Sequence, residues 1–154
     1  MVMAVAGCGG PSDEERFQQA EDMIRNGQFL DAIPVLKQYL LRHPHHSGAH
    51  LYLGICYMLS DKWIALAEGE IRTALYLYRR DGERSTIPRF SGEYFKARCY
   101  MELIKASLLR YDAAFDPRMP PNILETAVEG LRNAIDEALR EVPDNAEIRA
   151  IAEQ

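Results

Sequence analysis

All four histidines of this 154-residue chain fall inside one eight-residue stretch, HPHHSGAH, as His43, His45, His46 and His50. Imidazole is a common ligand of zinc, copper and nickel, and His46 and His50 stand four apart, one turn of a helix. Against a metal centre, Pro44 forces a turn and no cysteine or carboxylate lies beside the histidines. His43, ending a helix, is favourable through the dipole alone. The expectation is no metal and no cofactor. Cys8, Cys56 and Cys99 are too few for a disulfide framework and lack CxxC spacing. Cys56 in GICYM and Cys99 in ARCYM each precede a tyrosine, which predicts equivalent buried places on two related helices. Arg79, Arg80, Arg84 and Arg89 could meet phosphate, but Asp81 and Glu83 interrupt them, so a solvated loop is expected. No glycine-rich phosphate loop, HExxH, GxSxG or nucleophile with its base is present, and a non-enzymatic role is expected.

Composition sets the frame for these residues. A chain that is 47% apolar and 27% charged can bury a core, and its length suits one domain. A net charge of −5 with interspersed cations argues against nucleic acid, whose affinity rests on clustered Lys and Arg. No run approaches the roughly 18 apolar residues that a transmembrane helix needs.

The positioning elements read as helices throughout. Phe17, Ala20, Met23 and Ile24 recur at helical spacing behind a capping box of Ser12 and Glu15, and Asn26-Gly27 stops that helix. A second helix is predicted from about Phe29 to His43, with Pro34 near its start and Pro44 closing it. A third runs from about Gly48 to Leu59 with Ser47 as cap, and a fourth from about Lys62 to Arg80 after Asp61. RRDGERSTIPRF reads as a surface loop. A long fifth helix covers about Gly92 to Phe115, and the prolines of DPRMPPN end it. Asn122 is expected to cap a sixth helix reaching about Val142, and a short final helix follows Pro143-Asp144-Asn145. The fold class is all-α, antiparallel helix hairpins in succession.

LGICY at 53–57, followed by Trp63, Ala67, Ile71, Ala74 and Leu75, resembles the tetratricopeptide repeat family. The preceding unit matches through Ala20, Gly27, Phe29, Ala32, Leu36, Leu40 and Pro44, and Ala20 to Gly54 is the 34-residue period. Gly54 to Ala97 is 43 residues, about nine of them inserted. The resemblance implies a short α-solenoid of three units, 13–46, 47–89 and 90–145, with 146–154 as a capping helix. Ala20, Gly54 and Ala97 would let paired helices approach closely. The first helix of each unit would line a concave groove, with Phe17, Glu21 and Ile24, then Leu51, Ile55 and Met58, then Tyr94, Arg98 and Met101 on it. That groove lacks the Lys and Asn pattern with which co-chaperone members clamp a carboxylate, and suits an amphipathic helix or extended apolar peptide. The other outcome is that these residues pack against one another.

The first twelve residues stand apart. Val5-Ala6-Gly7-Cys8 resembles a bacterial lipobox, at which a signal peptide is cut and the cysteine acylated. Against it, only seven residues precede Cys8 and none is basic, whereas a secretory signal has a basic start and a longer apolar run; the expectation is a truncated signal, with Met1 or Met3 internal to a longer one, and the alternative is a chance match. The expectation is an envelope lipoprotein that scaffolds a protein complex. The alternative is a cytoplasmic adaptor with a frayed tail, and a metal-handling accessory is a third reading.

Overall fold

The structure, a computed structural model, describes residues 10–60, 63–86 and 92–153. Among them are seven α-helices and no strand: α1 (Asp13–Arg25), α2 (Phe29–Arg42), α3 (Ser47–Leu59), α4 (Ile64–Asp81), α5 (Glu93–Ala114), α6 (Pro121–Glu141) and α7 (Ala146–Ala152). Each helix packs on its neighbours in the chain, and α3 also touches α5. The result is an all-α array of helix hairpins.

Local chemistry accounts for most boundaries. The Ser12 hydroxyl accepts the Glu15 N–H at 3.2 Å and the Glu15 carboxylate accepts the Ser12 N–H at 2.7 Å, so two orphan donors of α1 are satisfied. Past α1, Gly27 turns the chain at φ 75°, where a Cβ would be strained. Asn145 caps α7 by accepting the Ile148 N–H at 3.0 Å.

Four local expectations are corrected. His46, not Ser47, caps α3: its Nδ1 accepts the Ala49 N–H at 3.0 Å. Ser47 is drawn inward instead, its hydroxyl donating to the Ser85 carbonyl at 2.9 Å, which ties α3 to the 3-10 turn Gly82–Ser85. Pro34 lies in the second turn of α2, past the positions whose N–H groups are free in any helix. Arg79 and Arg80 belong to α4, which runs on to Asp81, and α6 starts with Pro121 at its first position with no side-chain cap from Asn122. The expected cap Asp61 and Arg89 lie outside the described residues.

The core explains why small residues recur. A Cβ on Gly54 would stand 2.7 Å from Ile71 Cγ1 and 3.0 Å from the Ala67 carbonyl, so α3 and α4 are in contact at the backbone. Ala20 on α1 and Ala97 on α5 are buried as well. Leu36, Leu51, Ile71, Phe95, Tyr100 and Ile104 fill the space between. Cys56 and Cys99 are both wholly buried free thiols. Burial pushes the Cys56 thiol up to about 12 and the Cys99 thiol higher, which leaves both un-ionised and inert.

Candidate functional site

The apolar residues expected along the groove turn inward. Phe17, Leu51, Ile55, Met58 and Met101 are buried and Ile24 is half-buried, because α3 is apolar all round and has α1, α2, α4 and α5 against it. Phe17 packs its ring on Tyr39, His46 and Tyr52 at centroid distances of 5.0, 4.9 and 5.9 Å. Glu21 is buried too, and its carboxylate accepts the Tyr52 hydroxyl at 3.0 Å. Burial raises Tyr52 to about 12, with Arg25 and Arg98 pulling the other way.

Tyr94 and Arg98 remain accessible. Tyr94 is 59% exposed, and the Arg98 guanidinium pairs at 2.9 Å with Glu102, which is only 2% exposed. Lys105 reaches the same Glu102 oxygen at 3.1 Å. Glu102 is thus a buried anchor that holds two cations at the surface. Its i,i+4 spacing from Arg98 and i,i+3 spacing to Lys105 were the available signal for this cluster.

Beside these residues the turn from α6 to α7 leaves an apolar slot of about 370 Å³ against the first half of α5. Tyr94, Ala97, Val142 and Pro143 form its walls, with Glu93, Asp144 and Asn145 at the rim. A smaller recess of about 120 Å³ adjoins it, lined by Tyr94, Ala97, Arg98, Met101, Lys105, Asn145 and Glu147. Of the nine groove residues, the structure brings Tyr94, Arg98 and Met101 together around this recess. The contribution of the α6–α7 turn could not be read from helical periodicity.

Three of the four histidines, His43, His46 and His50, are held in structural roles. His43 meets the Asp13 carboxylate at 3.0 Å and stacks on Tyr39. Burial drives the pKa of His46 down to about 4, which keeps its ring neutral and able to accept the Ala49 N–H. Burial also opposes charge on His50, yet its two ring nitrogens face the Glu70 carboxylate at 2.6 Å and the Pro44 carbonyl at 3.0 Å, and these acceptors hold its pKa above the ordinary value. Among the described residues no three His, Cys, Asp or Glu side chains gather as a metal site.

The arginines are engaged as well. Arg79 donates to the Tyr100 hydroxyl at 2.5 Å and pairs with Glu141 at 3.1 Å, while Tyr100 donates to Glu137 at 3.3 Å. Arg72 also reaches Glu137, so this network bolts α4 to α6 over the phenol of α5. Arg80 pairs with Asp81. Cys8 lies outside the described residues. No described helix is long and apolar enough to cross a membrane. No family model, curated protein or solved structure matches the chain.

Proposed function

We propose that this chain is a non-enzymatic interaction module that seats an extended apolar segment of a partner protein at the α5 end of its first-helix face. The observation that carries the reading is the apolar slot of about 370 Å³ beside the exposed Tyr94 and the surface cation of Arg98. A preformed concave site with few polar groups is the form in which apolar side chains are bound. Aromatic and arginine side chains at its rim commonly dominate such contacts.

In its fuller form the proposal is a tetratricopeptide-like scaffold, held at the bacterial envelope by an acylated Cys8, that assists assembly of a protein complex. The 34-residue period and Val5-Ala6-Gly7-Cys8 support it. Without acylation the same module serves as a cytoplasmic adaptor. The test of binding is a screen of immobilised peptides against the whole chain and against Tyr94→Ala and Arg98→Ala. Peptides with an apolar anchor should bind wild type and lose roughly tenfold in affinity to Tyr94→Ala. Binding that neither substitution alters would remove this slot as the site.

A further inference from the structure

We propose that α7 is a hinged clasp which closes on the partner segment, a device that rests on the slot beside Tyr94 being the partner site. With 7 residues α7 is too short to stay helical by itself, so its order depends on what it packs against. That packing is on α6, with no comparable face against α5. Ile148 is its one wholly buried side chain, and Ile151 is half-buried. The polar contacts go back to the turn that leads into α7. Asn145 accepts the Ile148 N–H at 3.0 Å, while Arg149 donates to the Pro143 carbonyl at 2.7 Å and pairs with Asp144 at 3.1 Å. One isoleucine is therefore the latch, and Asp144, with its side chain fully exposed beyond Pro143, is the hinge.

Open space lies between α7 and α5. The slot of about 370 Å³ and the recess of about 120 Å³ share Tyr94, Ala97 and Asn145, and together they follow α5 from Glu93 to Lys105, about 18 Å of its length. An extended chain covers that distance in about five residues. Helix α5 forms one wall of the recess, and Asn145 with Glu147 forms the other. Undocking of α7 carries that second wall away. A segment lying in the gap touches both walls only while α7 is docked, so its binding and the docking of α7 favour each other by one and the same factor. The contacts that α7 lacks toward α5 in the free chain are those that the segment supplies.

Hydrogen exchange of the whole chain, free and with the acetylated, amidated pentapeptide Gly-Phe-Leu-Phe-Gly, tests the coupling, with affinity read by NMR titration. In the free chain the amides of 146–152 should exchange faster than those of α1–α5, through local opening. Saturating peptide should slow them by about tenfold. Ile148→Asp, which holds α7 undocked, should weaken peptide affinity by that same factor. So should Ala150→Pro, which breaks α7 from its exposed side and puts no charge in the core. Retained protection of α1–α5 shows that the rest of each variant is folded. Binding that depends on Tyr94 but leaves α7 exchange unchanged, or that both variants tighten or leave alone, would overturn the clasp and leave the slot standing. Exchange of α7 only together with α1–α5, or loss of their protection in both variants, would make α7 part of the core unit and overturn it as well. No Tyr94-dependent binding at millimolar peptide would remove the slot and the clasp with it.

Discussion

Gly54 on α3 and Ile71 on α4 lie so close that a single added Cβ would sit 2.7 Å from Ile71 Cγ1. Gly54→Ala forces the isoleucine out of its rotamer or the helices apart, at about 1–3 kcal/mol. Gly130, half-buried in the interior of α6, has open space where its Cβ would lie. Gly130→Ala should therefore stabilise by roughly 0.5–1 kcal/mol through helix propensity. Thermal melts of the two variants should move in opposite directions. Equal shifts would show that close approach is not what Gly54 provides.

Ile55 and Met58 are expected to answer to packing. Both are buried on α3, so Ile55→Glu places an unpaired carboxylate in the core and should cost several kcal/mol, with loss of helicity. Tyr94→Ala should leave the melting temperature within a few degrees while weakening peptide capture. A well-folded Ile55→Glu protein would mean that the side chain reaches solvent.

Acid should unfold the protein partly through His46. Its folded pKa of about 4 lies below the ordinary 6.5, so the unfolded chain takes up the proton first. The stability that its neutral ring contributes is complete above pH 6.5 and is lost as pH falls toward 4. The loss is on the order of 2 kcal/mol once the partial exposure of the ring is allowed for. Asparagine also caps helices, so His46→Asn should flatten the stability profile between pH 6.5 and 4. His50 acts in the opposite sense. Its raised pKa contributes stability below 6.5 that disappears as pH rises through the folded value, and His50→Gln should remove that alkaline slope. Denaturant midpoints measured across pH check both.

Thiol labelling separates the three cysteines. Cys56 and Cys99 are buried with raised pKa values and should resist maleimide in the native protein, then react once it is unfolded. If Cys8 is acylated in cells expressing the gene with its upstream region, it will not react at all. The protein should then partition with membranes through a salt-resistant attachment that Cys8→Ser abolishes, since lipid insertion contributes about 0.8 kcal/mol per buried CH₂. Salt-sensitive attachment with an unmodified Cys8 would assign it to charge.

The sequence alone determined where most helices begin and end, because those boundaries are settled within a few residues by backbone hydrogen bonds. Ser12 with Glu15, Gly27, the Pro44 turn and the prolines after Phe115 each act on their own turn. The burial of Cys56 and Cys99 was legible too, since small apolar residues on the inner stripe of a helix have no reason to face water. Which side of α3 faces outward was not, because Leu51, Ile55 and Met58 give an all-round apolar helix no angle to read. Tertiary structure decided that these residues are core. It left Tyr94 and Arg98 at the surface and set the α6–α7 turn beside them, 44 or more residues along the chain. It also chose His46 over Ser47 as the cap of α3, since a distant carbonyl at Ser85 offered the serine hydroxyl a buried partner that no neighbouring residue could supply.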